Sequence, residues 1–161
     1  MLLNSVPQLY AQDLSAEVWY KRGNDWHKQK KYGYAVDCYD KAIKLNPDFS
    51  RAYFNRGSTR VNLNDFYKAL EDFNKAIELD PNYKMAYYHR GFLKNGLGQH
   101  TSAIKDFDKV LELDSDFVVA YYNRGLANFK INNIADACED WKISLRMGYS
   151  KAKLRIERYC G

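Results

Sequence analysis

Apolar residues in this chain recur at two distances. Within each stretch of a dozen or so residues they return every three or four positions, the spacing of one face of an α-helix. Over longer distances the whole pattern returns every 34 residues. Ala52-Tyr53-Phe54-Asn55-Arg56-Gly57 is followed at helical spacing by Ala69, Phe73 and Ala76, and then by Pro81. The same shift lines up Gly23, Gly57, Gly91 and Gly125, then Ala35, Ala69, Ala103 and Ala137, then Tyr39, Phe73, Phe107 and Trp141. Each period predicts two helices. The first runs from Ala16 to about Gln29 with Trp19, Gly23 and Trp26 on one face, and the second from Tyr34 to Leu45 with Ala35, Tyr39 and Ala42 on another. Glycine and alanine let the paired helices approach, and the aromatic residue fills the gap they leave.

Turn chemistry agrees with this division. Inside each pair the turn falls on Asn64, Gly98 or Asn132, residues that accept a left-handed helix end, with Lys30 the exception in the first pair. Between pairs, Asn46-Pro47-Asp48 and Asp80-Pro81-Asn82 are expected to stop one helix and cap the next; in the third linker Asp114-Ser115-Asp116 lacks the proline and is expected to be less rigid. A 34-residue helix-turn-helix period with small, aromatic and proline positions resembles the tetratricopeptide repeat, and the resemblance covers roughly residues 16 to 151. It implies an all-α fold, a right-handed superhelix of four repeats at 16–49, 50–83, 84–117 and 118–149, closed by a C-terminal capping helix at 150–161. In that last stretch Gly148 ends a helix and Ser150 is placed to cap another. From Lys151 to Tyr159, Ala152, Ile156 and Tyr159 share one face and cations fill most of the rest, so one side is expected to cover the last repeat and the other to face water.

Residues 1–15 form a lead-in. Val6, Leu9, Tyr10 and Leu14 either fold over the first helix or hang free, and the segment ending at Ala11 reads either as the remnant of a secretory signal or as a plain terminal extension. No segment is long and apolar enough to span a bilayer. The formal net charge is +5, and its location matters more than its size. Met1 to Trp141 carries 19 basic and 19 acidic residues, whereas Lys142, Arg146, Lys151, Lys153, Arg155 and Arg158 stand against Glu157 alone.

One row departs from the family pattern. Arg22, Arg56, Arg90 and Arg124 precede the glycines, where such repeats commonly place leucine. A cation facing the helix stack needs a partner, and Asp72, Asp106 and Asp140 are spaced to supply one, while Cys38 occupies that place in the first repeat. The expectation is a structural ladder of Arg–Asp pairs. If pairing is within a repeat Arg22 lacks its partner, and if it is between repeats Arg56 does.

The resemblance also points to a concave surface lined by the first helix of each pair. It implies a row of Tyr20, Phe54, Tyr88 and Tyr122, beside it Lys21, Asn55, His89 and Asn123, and one turn on Asn24, Ser58, Phe92 and Leu126. Aromatic rings supply contact area and amides pair with main chain, which suits an extended segment of another protein. Helices about 10 Å apart and about 3.3 Å per extended residue give four repeats roughly ten residues of ligand. The clamp with which some tetratricopeptide co-chaperones hold an acidic chaperone tail is not expected. Asn24 and Asn55 match its two asparagines, but its basic places fall on Tyr20, Met85 and His89.

No catalytic cluster is legible. His27, His89 and His100 lie in different repeats, no histidine pair has zinc-site spacing, and Gly96-Leu97-Gly98 joins two helices without the strand and lysine of a phosphate loop. A non-enzymatic scaffold is therefore expected, with no cofactor, metal or small-molecule substrate. Cys138 and Cys160 would stand level if the last two helices run antiparallel, since about 13 Å of rise is matched by about 15 Å of return. A disulfide there and two free thiols are both open readings, and Cys38 has no evident mate. Two other functions compete with groove binding. The basic end could take an anionic partner, nucleic acid or a membrane surface, although nucleic acid is disfavoured because the cations are not spread along the groove. Self-assembly through the first repeat is the other, which leaves the oligomeric state open. The lead-in and the paired cysteines together favour an exported protein over a cytoplasmic one.

Overall fold

The structure is a computed structural model describing residues 15–161, so the lead-in, with Val6, Leu9, Tyr10, Leu14 and the suggested signal remnant, lies outside the described residues. Nine helices and no strand are found among the described residues. They are α1 (Ala16–Lys28), α2 (Tyr32–Leu45), α3 (Ser50–Asn62), α4 (Phe66–Leu79), α5 (Lys84–Gly96), α6 (His100–Leu113), α7 (Val118–Lys130), α8 (Ile134–Arg146) and α9 (Lys151–Tyr159). The odd-numbered helices up to α7 are the first of each pair (helix A) and the even-numbered ones the second (helix B). Each helix packs chiefly on its neighbours in sequence, so the core is a row of small clusters and not one centre.

Helix pairs close on the glycine row. A Cβ added at Gly23 would lie 2.5 Å from the Tyr39 ring, and one at Gly125 would lie 2.6 Å from Trp141 Nε1. The rings of Tyr39, Phe73, Phe107 and Trp141 are accordingly almost wholly buried, with Ala35, Ala69, Ala103 and Ala137 beside them.

The linkers correct the expectation of side-chain caps. Asn46 Oδ1 accepts from the Asp48 N–H, Asp80 Oδ1 from Asn82 and Asp114 Oδ1 from Asp116, all at 3.0–3.1 Å. The third linker, without proline, therefore makes the same turn as the other two. The next helix then starts from Phe49, Tyr83 or Phe117, none of which caps it with its side chain, and Ser150 does not cap α9 either. A capping oxygen is worth about 1 kcal/mol; an aromatic ring packed at that position buries enough apolar surface to outweigh it. Lys30 is also no exception in geometry. Its φ is 59°, matching Asn64 and Asn132, because the turn bonds from Lys30 N–H to His27 O and from Lys31 N–H to Trp26 O hold it there.

Arginines of the departing row tie repeats together. Arg56 Nε and Nη2 donate to Asp72, Arg90 to Asp106 and Arg124 to Asp140, all within one repeat and all at 2.5–3.2 Å. The third guanidinium nitrogen, Nη1, reaches back to helix B of the preceding repeat: Arg56 to Asp40, Arg90 to Asn74 and Arg124 to Asp108. A second donor completes each buried carboxylate, Arg60 for Asp72, Lys94 for Asp106 and Asn128 for Asp140. Burial pushes the Asp72 and Asp140 carboxyls up from their ordinary range, against the pull of these donors. In repeat one the set is exchanged as a unit. Cys38 replaces the aspartate, Trp26 stands where Arg60 and Lys94 do, and Arg22 is exposed, lying over the Trp19 ring at 5.1 Å. The buried setting expected for this row therefore does not extend to Arg22.

At the C-terminus α9 covers the last cluster, with Ala152 fully buried beside Ala137 and Trp141 and with Ile156 and Tyr159 packed on them. Cys138 on α8 and Cys160 after α9 are joined by a disulfide, Cα–Cα 5.6 Å. A closed loop of this length restricts the unfolded chain by about 3 kcal/mol. Cys38 is a free, buried thiol.

Two substitutions test this architecture in urea melts. Asp106→Ala strands Arg90 and Lys94 and is expected to cost about 3 kcal/mol, more than the paired replacement Arg90→Met with Asp106→Leu. A loss below about half a kcal/mol would dismiss the ladder as a structural element. Lys30→Gly relieves a left-handed backbone and is expected to stabilise by about 1 kcal/mol; no change would mean that the turn bonds already absorb the strain.

Candidate functional site

Helix A of each repeat carries the polar and aromatic rows expected to line the concave surface. Tyr20, Phe54, Tyr88 and Tyr122 are half-buried, the first three each wedged between two other rings and Tyr122 packed on one. Tyr20 meets Tyr39 and Phe49, Phe54 meets Phe73 and Tyr83, and Tyr88 meets Phe107 and Phe117, with centroids 4.9–6.2 Å apart. Tyr122 meets Tyr149 at 5.0 Å. The linker row Phe49, Tyr83 and Phe117 went unused in the sequence reading. It repeats with the same period, and Tyr149 follows two residues early because the last linker is shorter.

The neighbouring row is fitted to the first. Asn55 Nδ2 donates to the Tyr20 hydroxyl (3.0 Å) and to Asn24 Oδ1 (2.7 Å), and the Tyr39 hydroxyl also donates to Asn24 Oδ1. Asn123 Nδ2 donates to the Tyr88 hydroxyl at 3.0 Å. Where the preceding repeat offers Phe54, with no hydroxyl, the row carries His89, edge-on to that ring at 5.2 Å and to Tyr88 at 5.6 Å. Both N–H groups of Asn55 are thus used inside the protein, and Asn123 is buried. Of the aromatic residues singled out from the sequence for this face, Phe92 is the exposed one, at 58%.

Three openings interrupt this face. Helix A residues of three successive repeats, Asn24 and His27, Phe54, Asn55 and Ser58, Met85 and His89, wall a cavity of about 370 Å³. Thr59 gives its hydroxyl proton to the Asn55 carbonyl, so His27 Nδ1 donates to Thr59 Oγ1 (2.8 Å) and Nε2 is left as an acceptor. The other two openings are at the C-terminal end. One, of about 380 Å³, lies between Tyr122 and α9 and is lined by Lys151, Leu154, Arg155 and Arg158. The other, of about 300 Å³, lies among His100, Leu126, Phe129 and Lys130, with Arg155 and Tyr159 common to both. The charged side of α9 therefore does not simply face bulk water; part of it lines these two openings.

Residues 16–49 and 50–83 each match the family described as "Tetratricopeptide repeat", and residues 97–132 match "TPR repeat". The chain belongs to the tetratricopeptide repeat family. Two curated relatives, small glutamine-rich tetratricopeptide repeat-containing protein beta of Rattus norvegicus and of Mus musculus, are each 35% identical over 65 residues, 40% of this chain and 20% of theirs. The chain thus spans about a fifth of the length of the curated relatives it matches. The crystal structure of MamA superposes with a TM-score of 0.80 at 26% identity, over 86% of this chain and 81% of that one. The first TPR of Spaghetti (RPAP3) bound to the HSP90 peptide SRMEEVD superposes at 0.72 with 31% identity, over 77% and 98%. This tetratricopeptide array has no described helix long and apolar enough to cross a membrane.

Burial lowers the pKa of His89, and to that end of His27, below the imidazole value of 6.5. As pH falls past that value the unfolded chain takes the proton first, so the stability these neutral rings contribute is complete above it and is lost on further acidification. The urea midpoint is expected to drop between about pH 7.5 and pH 5, and to drop less in His89→Gln. Equal drops in both proteins would assign the titration to other groups.

Proposed function

We propose that this protein is a non-catalytic interaction scaffold that holds an extended segment of a partner protein along its concave face. The observation that carries the reading is the cavity of about 370 Å³ walled by α1, α3 and α5. A segment lying across the helix A rows would meet aromatic edges, one imidazole acceptor, the Lys28 ammonium and the side-chain Oδ1 of Asn55, whose Nδ2 is the atom used inside the protein. The likeness to a tetratricopeptide domain bound to a chaperone peptide supports a peptide as the ligand class. The residues here differ from those of an acidic-tail clamp, since Tyr20, Met85 and a His89 kept neutral by burial stand at its basic places.

Variants that open the groove without disturbing the ring stack test this. Met85→Ala/Phe92→Ala changes groove-facing side chains, whereas Tyr67→Ala changes an exposed ring on α4, outside the helix A rows. In pull-downs from native extract, a partner identified by mass spectrometry is expected to be retained by Tyr67→Ala and reduced at least about tenfold by the groove variant, the effect of removing two contact side chains. A partner kept by the groove variant and lost by Tyr67→Ala would move the function to the outer face.

A further inference from the structure

Helix α9 stands in the register of a fifth helix A. Ala152 lies 32 residues after Ala120, and both are fully buried. Tyr149 lies 32 residues after Phe117 and packs on Tyr122 at 5.0 Å, as Phe117 packs on Tyr88 at 5.1 Å. The same offset carries the concave rows onto α9. Leu154 continues the row of Tyr20, Phe54, Tyr88 and Tyr122, Arg155 continues that of Asn55, His89 and Asn123, and Arg158 continues that of Phe92 and Leu126. Leu154 is 68% exposed, and of the cations beside it Lys151 lies over the Tyr149 ring at 6.0 Å and Arg158 over the Tyr159 ring at 5.6 Å. Among the described residues neither Arg155, Arg158, Lys130 nor Lys151 forms an ion pair, and the one acid on α9, Glu157, is with Lys153 at 3.9 Å. Elsewhere in the protein every arginine that reaches a buried or half-buried site is matched by a carboxylate.

We propose that this end of the groove is a subsite for acidic side chains: it takes a partner segment in which Asp or Glu stands next to a large apolar residue. The carboxylate pairs with Arg155 and Arg158, and the apolar side chain enters beside Leu126, Phe129 and Tyr159. The inference rests on the reading of the concave face as a polypeptide groove and adds the chemistry of what occupies its last turn. Charge complementarity favours a polypeptide over nucleic acid here. Between Lys21 and Arg155 the same row is Asn55, His89 and Asn123, so a phosphate backbone would find cations only at the two ends, with Lys28 near the first, and an uncharged row of three repeats between them.

The full chain is used to select binders from a displayed library of random segments of about ten residues, flanked on both sides so that no terminal carboxylate is present. Segments selected by the wild type are expected to carry Asp or Glu beside Leu, Ile, Phe or Met. Arg155→Ala/Arg158→Ala, checked to melt as cooperatively as the wild type, is expected to lose that acidic preference and to bind the strongest wild-type segment about tenfold more weakly, the effect of two partly exposed charge pairs. Arg155→Lys/Arg158→Lys, which keeps both charges, is expected to restore the preference. Capture of segments without acidic preference, or with a preference that the alanine variant keeps, overturns this subsite and leaves the groove standing. Failure of the wild type to capture any segment overturns both. Tighter binding of a short labelled single-stranded DNA, lost in the alanine variant, also overturns the subsite and gives these cations to phosphate.

Discussion

An aromatic ring laid on bare glycine backbone is the contact on which the rest of this structure depends. At Gly23, Gly57, Gly91 and Gly125 a Cβ would come within 2.5–3.1 Å of the ring from helix B, so any other residue would push the pair apart. With helices A and B held this close, the ring also meets a second aromatic on helix A of its own pair, Tyr39 on Tyr20 and Phe73 on Phe54, which in turn meets the ring that opens the next repeat. The floor of the groove is therefore the outer edge of the core. That is why Tyr20, Phe54, Tyr88 and Tyr122 are half-buried, and why a ligand would touch ring edges and not free side chains.

Alongside this apolar stack runs a polar one. A carboxylate such as Asp72 is tolerable in the interior because Arg56 and Arg60 supply its bonds, and burial and pairing nearly offset each other in such sites. What the ladder adds is register. One guanidinium spans helix B of its own repeat and helix B of the repeat before, so a slipped or rotated repeat would leave a charge uncompensated. Repeat one replaces the aspartate with Cys38 and the second cation with Trp26, and its Arg22 turns outward onto Trp19.

At the other end the structure uses a different device. Helix α9 repeats the packing of helix A and is fastened to α8 through Cys138 and Cys160. Its buried side continues the core and its other side continues the groove, so the last repeat is covered without the concave face being closed off. The positive charge that composition places at the C-terminus is thereby delivered to the two openings beside α9.

Helix number, helix order and the partners that glycine and aromatic rows make were legible in the sequence, because each repeat contacts only its neighbours and the period alone says which residues face each other. The separation of Arg56 and Asp72 by 16 residues likewise placed them on facing helices, although not the backward reach to Asp40, which depends on how one repeat is rotated onto the next. Availability was decided by tertiary structure. From the sequence, Asn55 and Asn123 are amides offered to a ligand; in the fold their N–H groups meet the hydroxyls of Tyr20 and Tyr88, because the superhelical twist brings residues 35 apart into contact. The facing of α9 was settled in the same way. Its sequence determined an amphipathic helix with one apolar side, but only the angle at which it docks on α8 decided that Arg155 and Arg158 border the groove, since side chains on a helix point where the helix is set down.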